Sequence, residues 1–585
     1  MVYSTQLLLQ KTVVLSALSV TLFAFVNYLT ITTTHLPLLV HDKAKPTLTT
    51  FEDNKEKNLH QSIPQVKEIN NQISAMWEEY GLSPSPYATD GEWCRRVHLD
   101  LIGRVPTVTE LREFLNDNKV DKKQRLVEKL LSDPAYEPLF AENFTNVWTN
   151  ILIGRAGGTE RNSLTNRQGM RDYLYESFLT NKPYDTLVYE LISATGTNAP
   201  DKENFNGAVN FLTMKLDEDG VLATAKTSQI FLGLQIQCAQ CHNHPFNDWK
   251  QEKFWELNAF FRQARPLRRF EPGTRDVTHV ELGDQDFVGE GSTPEDAEIY
   301  YELRNGLLKV AYPTFIDGTT IPRSGYVSDV NRREELAKLV ISSDWLEKAA
   351  VNRFWGHFFG HGFTKPVDDM GPHNQASHPE LHDYLAVELR KNSFNLRELI
   401  QWIVLSEPYS LSSRSTRKNK TDDPLLGEPP KFSHFYIRQM SAEQLFDSLL
   451  IASEAERSRG DRKEQEQARN RWLRQFVSAF GNDEGLETTT FNGTIPQTLM
   501  MFNGDLTNAA TRLQGENLLN KVANSDMTNL EKITYLFQAG LARNPTRSEI
   551  GIANQVLNAR DGDIPATMQD LWWAILNSNQ FILNH

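Results

Sequence analysis

Apolar residues recur at helical spacing through most of the chain, from about residue 72 to the C-terminus. In the segment DKKQRLVEKLLSDP, for example, Leu126, Leu130 and Leu131 fall on one face of a helix that Pro134 ends. The same spacing predicts further helices over 137–153, 167–181, 183–194 and 222–243. A chain of this kind buries its apolar helix faces against one another, so the predicted fold class is mainly α.

One stretch interrupts the helical pattern, and it divides the chain. Between about 268 and 330 aspartate, glutamate and glycine dominate, and short β-leaning pieces follow around KVAYPTFIDG. Because 585 residues exceed one ordinary core, we predict two helical domains joined by a segment with a few short strands. The predicted organisation is a signal anchor or transmembrane helix (1–36), a linker (37–71), a first helical domain (72–267), an acidic connector (268–330) and a helical C-terminal domain (331–585).

Helix-start signals return after the connector. Leu336, Leu339, Val340, Val351 and Phe354 recur at helical spacing in REELAKLVISSDWLEKAAVNRFWGHFFG. Two later segments carry Ser followed three residues on by Glu or Gln, the pattern of a capping box. We therefore predict helices that begin at Ser377 and at Ser441, with the side chain of Glu380 or Gln444 closing each box.

The N-terminus carries an apolar segment. Lys11 precedes an uncharged stretch from Thr12 to Thr34, and a membrane-spanning helix needs about 20 apolar residues. The segment lacks an obvious signal-peptidase site, which favours an uncleaved anchor over a cleaved signal, with a buried helix as the third alternative. We expect a membrane-anchored protein whose soluble part lies in the periplasm or on the outer face of the cell.

The charge and cysteine content exclude several classes of protein. The formal net charge is −14 at pH 7 and no Lys/Arg-rich run offsets it, so we expect no nucleic-acid partner. Three cysteines are too few for a chain of this length to be held together by disulfides. Two of them, however, lie in one motif.

That motif is Cys238-Ala239-Gln240-Cys241-His242, which fits the attachment pattern of c-type haem. Two thiols one turn apart can each bond a vinyl carbon of the porphyrin, and the adjacent His242 can then ligate the iron. Because bacteria attach haem outside the cytoplasm, the predicted export agrees with this chemistry. We therefore favour haem c as the cofactor and a redox partner protein as the partner.

Two other chemistries remain open for the same cysteines. Zinc takes thiolates and imidazoles in tetrahedral geometry, and Cys238, Cys241 and His244 would form a C-x2-C-x2-H clip that lacks its fourth ligand. A disulfide between the two thiols is the third alternative. If haem is bound, His244 is instead a group near the site or a local cap, because Pro245 ends the predicted helix there.

The second half of the chain offers distal ligands for a haem. Met370 is the candidate of most interest, since Met/His ligation raises the potential of the iron, although a buried core position is the simpler interpretation. The other candidates are histidines of the same region: His357, His361, His373 and His378.

Several long blocks resemble a paired-domain family that is abundant in planctomycetes and related bacteria. They are CRRVHLDLIGRVPTVTELREF, the CxxCH block FLGLQIQCAQCHNHPFNDWKQEKFWELNAFF, VNRFWGHFFGHGFTKPVDDMGPHNQASHPELHDYL and the terminal WWAILNSNQFILNH. The resemblance covers about 75 to 585. It implies a first domain of the cytochrome-like type and a planctomycete-specific partner domain of unknown function. This chain has Asn243 where relatives carry Asp.

The resemblance also directs attention to the second domain, whose recurrent block maps onto Asn352, Arg353, Trp355, Asp368, Asp369, Ser377, His378 and Pro379. These polar residues form either a site or a buried network between helices. As a site they define the alternative function, a hydrolase or polymer-processing envelope enzyme. In that enzyme Asp368, Asp369 and His378 would transfer protons and Arg353 would bind an anionic group. A non-catalytic protein with a zinc clip is the third hypothesis.

Overall fold

The computed structural model describes residues 63–245, 247, 249–290, 294–455, 462–480 and 495–585. The predicted anchor at 1–36 and most of the linker at 37–71 lie outside these residues. No helix within the described ranges is long and apolar enough to cross a membrane.

The part of the chain before the connector is helical, as predicted. Its helices are α1 Pro64–Glu79, α2 Asp90–Ile102, α3 Val108–Asn116, α4 Lys122–Ser132, α5 Glu137–Ile153, α6 Arg167–Leu179, α7 Tyr184–Ser193, α8 Val221–Thr227 and α9 Gln251–Asn258. Local sequence explains their ends. Thr107 and Glu110, for instance, form a complete capping box at the start of α3, which satisfies backbone N–H groups that a helix start leaves free.

The helix predicted over 222–243 is shorter than expected. After α8 the chain makes one wider turn, Ser228–Leu232, and then leaves the helix at Gly233, whose φ of 65° is left-handed. Two apolar residues that follow, Leu234 and Ile236, are buried in a segment without regular secondary structure. Burial on all sides, rather than on one helical face, accounts for the apolar run that suggested a helix.

The connector contains the predicted short strands. Two antiparallel sheets involve it. One is three-stranded in the order β1 (Gly196–Thr197), β3 (Val277–Asp284), β2 (Ala264–Phe270), with β1 coming from before the connector; the other is the hairpin of β4 (Ile299–Glu302) and β5 (Leu308–Ala311). A further two-stranded pair, β6 (Arg438–Gln439) and β7 (Leu583–Asn584), joins the C-terminus to the segment after residue 437.

Helices resume at residue 332, and the prediction of a mainly helical chain with few short strands is confirmed. They are α10 Arg332–Ser342, α11 Asp344–Phe359, α12 Pro379–Lys391, α13 Leu396–Val404, α14 Glu407–Ser410, α15 Ala442–Ser453, α16 Arg462–Phe480, α17 Ile495–Asn503, α18 Asp505–Ala510, α19 Leu518–Ala523, α20 Asn529–Leu541, α21 Arg547–Ala559, α22 Ile564–Leu576 and α23 Asn579–Ile582.

One of the two predicted capping boxes is present. Ser441 and Gln444 bond each other's backbone N–H groups at the start of α15, as expected. The box predicted at Ser377 is wrong, because α12 begins at Pro379 and His378 takes the N-cap position without a side-chain cap bond. Proline favours the first helical position, and its preference decides where this helix starts.

The buried apolar side chains form two large clusters. The first takes residues from both sides of the connector, so that Phe144 and Trp148 of α5 each lie 6.0 Å from Phe354 of α11, between ring centroids. The second cluster is built from residues after 439, together with Leu99 and two other apolar side chains near α2. The segments 72–267 and 331–436 thus share the first core, while most apolar residues after 439 pack in the second. The domain boundaries drawn between them stay predictions.

Candidate functional site

The CxxCH motif lies on a short 3-10 turn, Gln237–Gln240, that ends at Cys241. Ala239, between the two cysteines, is fully buried, while Cys238 and Cys241 are exposed and unpaired. The alanine therefore anchors the turn to the core beneath it. Both thiols are accessible to a group that approaches from solvent, and the disulfide alternative is not formed in this structure.

His242 follows the turn, and one of its ring nitrogens is engaged in a hydrogen bond to the backbone. Its Nδ1 lies 2.7 Å from the backbone oxygen of Asn243. A carbonyl oxygen only accepts hydrogen bonds, so Nδ1 carries the proton and the lone pair of a neutral ring is left on Nε2. Metal-binding histidines typically show this arrangement, in which the second nitrogen donates to a carbonyl or carboxylate.

His244 lies in the loop after the motif and does not cap a helix. Its backbone N–H donates to the oxygen of Trp249 at 2.7 Å, which closes the loop. Its ring centroid is 6.4 Å from that of His373, a residue of the second half. Partial burial lowers the pKa of His244, opposed by the negative charge of Asp369. The CxxCH loop and the segment 369–373 are therefore neighbours.

A cavity of about 580 Å³ separates these two segments. A second cavity of about 420 Å³ adjoins it and shares Trp345, Met370, Gly371 and Pro372 with it. The first is otherwise lined by Leu234, Pro245, Asn247, Trp249, Lys253 and His373. We call the two cavities together the central groove. The second cavity is otherwise lined mainly by polar side chains: Asp344, Lys348, Thr364, Asn374, His382 and Asp383. A lining that combines aromatic walls with polar groups is typical of ligand sites.

Asp369 and Met370 make the hydrogen bonds that position the segment 369–373 at the central groove. Asp369 Oδ1 accepts a hydrogen bond from His373 Nε2 at 3.0 Å. The backbone N–H of Met370 donates to Gly233 O at 2.7 Å, and the methionine side chain is buried. Met370 thus packs beside the segment that leads into the CxxCH turn. Its predicted role as a distal haem ligand stays a prediction.

The contact between Gly233 and Met370 makes a first testable prediction. A Cβ at residue 233 would lie 2.5 Å from Met370 Cε, in a left-handed conformation that disfavours side chains. We expect Gly233→Ala to lower stability by about 1–3 kcal/mol, measured as the shift of the urea midpoint. Gly273→Ala is the control for the cost of the left-handed backbone conformation alone. Gly273 also has a positive φ, but nothing lies within 4 Å of the position that its Cβ would take. Equal losses in both variants would refute the clash.

The predicted acid–base residues separate into different environments. Asp368 accepts hydrogen bonds from Gln229 at 2.9 Å and Gln235 at 2.8 Å, and its Oδ2 lies 3.9 Å from the guanidinium of Arg353. Asp368 and Arg353 therefore join α11 to the segment before the CxxCH turn as a mostly buried polar network. This arrangement matches the network interpretation of the recurrent block.

His378 belongs to another part of the second half. Its Nδ1 shares a hydrogen bond of 2.9 Å with Ser377 Oγ, and its ring packs 5.4 Å from that of Phe432. Burial lowers the pKa of His378 to about 4. His357 and His361, two other candidate ligands, are also held neutral by burial, with pKa values of about 3 and about 4. No contact within the described residues joins His378 to Asp368 or Asp369.

The donor set around the CxxCH turn contains the groups that a covalent haem requires. Haem attachment requires two accessible thiols and one imidazole with an available lone pair, and Cys238, Cys241 and His242 supply them. A structural zinc site requires four converging ligands. In the parts of the chain that the structure describes, no three His, Cys, Asp or Glu side chains are grouped so that they hold a metal ion.

Several residues of the central groove and of the neighbouring Asp368 network were not predicted from the sequence. Trp249 and Trp345 line it from opposite halves of the chain, and Gln229 and Gln235 are the partners of Asp368. Gln235 carried a usable signal, since a polar residue inside the apolar run FLGLQI requires a buried partner. Trp345 carried none, because it occupies an ordinary helical position.

The fold and the site describe a mainly helical protein in which the CxxCH loop faces the segment 369–373 of the second half across a groove. Residues 68–266 match the family model described as "PSCyt2: Protein of unknown function (DUF1549)", and residues 332–489 match "PSD1: Protein of unknown function (DUF1553)". These families form the planctomycete-type domain pair, which confirms the predicted pairing. Both descriptions leave the function open. No curated protein and no solved structure matches the chain.

Proposed function

We propose that this protein is a c-type haem protein of the cell envelope, with haem bonded to Cys238 and Cys241 and His242 on the iron. The observation that carries the proposal is the CxxCH turn itself, which presents two unpaired, exposed thiols beside a histidine whose Nδ1 is engaged. The bound haem would supply one-electron redox chemistry. The protein residues would hold its edge, ligate the iron and exclude water from one face.

The proposed location follows from the N-terminal apolar segment. An anchor over 1–36 would tether the protein to the membrane and place the remainder in the periplasm or on the outer face of the cell, where haem is attached. A redox partner protein would then exchange electrons with it. The exposure of the CxxCH turn supports such a partner, since electron transfer between proteins requires the cofactor edge to lie near the surface.

The alternative functions have less support. A zinc clip at Cys238, Cys241 and His244 would need ligands that already converge, or a loop that rearranges around the ion. A hydrolase built from Asp368, Asp369, His378 and Arg353 would need these groups around one substrate. Asp368 is instead engaged by two glutamines, and His378 packs against Phe432.

Covalent haem is directly testable. We expect the full chain, expressed with the haem-attachment machinery, to give a haem-stained band on a denaturing gel and a reduced-minus-oxidised cytochrome spectrum. Cys238→Ala/Cys241→Ala should lose the stained band completely. Cys94→Ala is the matched control: Cys94 is buried in another helix, and its loss should leave the stain intact.

The opposite outcome is equally clear. If the wild-type chain remains unstained while a known cytochrome matures in the same cells, the haem proposal is wrong. Elemental analysis of the same preparation for zinc then decides between the metal clip and a metal-free loop.

A further inference from the structure

The central groove has two features that identify a class of ligand. The first is its aromatic lining, since Trp249 follows the CxxCH loop and Trp345 lies at the start of α11 in the second half of the chain. The second is its length, because the two cavities adjoin along Trp345 and the segment 370–372. A groove with two adjoining lobes suits an extended ligand of several units better than one small molecule.

Most charged side chains of the central groove are paired within the protein, and the lysines and carboxylates that line it are equal in number: Lys253 and Lys348 against Asp344 and Asp383. Lys348 bonds Asp383 at 2.7 Å, Lys253 bonds Glu256 at 2.9 Å, and His373 bonds Asp369 at 3.0 Å. Their remaining hydrogen-bonding capacity is available to a ligand, while their charges largely cancel. The groove therefore favours a neutral ligand that carries many hydrogen-bonding groups.

Neutral sugars combine these properties. A pyranose ring presents an apolar C–H face that packs against an indole ring, and its hydroxyl groups exchange hydrogen bonds with paired ions and with amides such as those of Asn247 and Asn374. We propose that the central groove binds a neutral oligosaccharide chain, with Trp345 as the stacking residue common to both lobes. This proposal does not depend on the haem.

Binding to purified full-length protein tests the proposal. The protein is kept in a detergent without a sugar headgroup, and the probes are neutral hexasaccharides of β-1,4-glucan, β-1,4-mannan, β-1,4-xylan and β-1,3-glucan. We expect at least one of them to quench tryptophan fluorescence and to give a calorimetric Kd below about 1 mM. Trp345→Ala should weaken that binding at least about tenfold, as expected for a lost aromatic contact.

Two further variants test whether the sugar binds in the central groove and whether charge sets the preference. Trp573→Phe changes a partly buried tryptophan of the second core, outside the groove, and should leave affinity unchanged. Asp383→Asn removes the partner of Lys348 and leaves a positive charge in the groove. It should therefore shift preference toward an acidic probe, the hexamer of galacturonic acid. Circular dichroism verifies that each variant is folded.

Three results would overturn the proposal. One is the absence of binding by every neutral hexasaccharide at about 5 mM, five times the expected limit on Kd. Another is binding that Trp345→Ala leaves unchanged in a folded protein. The third is a wild-type preference for the galacturonate hexamer, which would mean that the groove is effectively cationic. Each of these results can be interpreted in the same way whether or not the protein carries haem.

Discussion

Asp100→Asn should destabilise the protein by about 3–5 kcal/mol, because it removes a buried carboxylate that accepts hydrogen bonds from three buried side chains. Asp100 is fully buried in α2, where it pairs with Arg438 and accepts hydrogen bonds of 2.7 Å from Tyr409 Oη and Asn584 Nδ2. The asparagine has nearly the same shape. Its amide, however, would leave the guanidinium without a counter-ion and would turn an acceptor into a donor.

The urea midpoint measures this loss, and the C-terminus provides a second measurement. Asn584 belongs to β7, which pairs with β6 beside Asp100, so the substitution should expose the last residues of the chain to carboxypeptidase. Asp276→Asn is the control. Nη2 of Arg161 donates to both carboxylate oxygens of Asp276, and the Arg161 side chain is 82% exposed. Loss of this surface ion pair should leave the midpoint unchanged within error. Similar losses at both sites would contradict the prediction.

The helices could be predicted wherever local signals and burial on one face agree. The predicted helix 137–153 coincides with α5, Glu137–Ile153, and the box at Ser441 is formed. The predictions failed where a stronger local preference or complete burial intervened. Pro379 took the first helical position ahead of the predicted start at Ser377, and the run after Gly233 is buried outside any α-helix.

The candidate site was predictable only in its local part. Cys238, Cys241 and His242 are adjacent in sequence, so their spacing alone suggested the chemistry. The contact of Met370 with Gly233 and the pairing of Asp100 with Arg438 join distant parts of the chain. Their formation depends on how helices pack, which periodicity does not specify. The two families match on either side of the connector, yet residues of both matches pack together in the first core.

Stability should fall steeply as the pH drops from 6.5 toward 4. Burial lowers the pKa of His98, His361 and His378 to about 4 and that of His357 to about 3. Histidine in an unfolded chain has a pKa of about 6.5. Below that pH the unfolded state binds protons that the folded state cannot take up. The stabilisation is therefore complete above pH 6.5 and disappears as the pH approaches the folded-state values.

The expected size of this effect is large. The folded-state pKa values lie about 2.5 to 3.5 below the unfolded value, which corresponds to about 3–5 kcal/mol for each histidine. Four such residues together are comparable to the whole net stability of a typical protein. We expect urea midpoints measured from pH 7.5 to pH 4 to show this decline, with unfolding well before most carboxylates titrate. A midpoint that is constant across this range would refute the prediction.

One pair of variants isolates the contribution of His378. His378→Asn removes a titrating group and places a favourable N-cap residue before Pro379, so the dependence of stability on pH between 6.5 and 4 should decrease by close to one proton. Ser377→Ala removes the hydrogen bond to the ring but no titrating group. It should lower the midpoint at every pH and leave the slope intact. Equal slopes in His378→Asn and the wild type would mean that His378 titrates alike in both states, because a histidine that binds protons equally when folded and unfolded contributes nothing to the pH dependence.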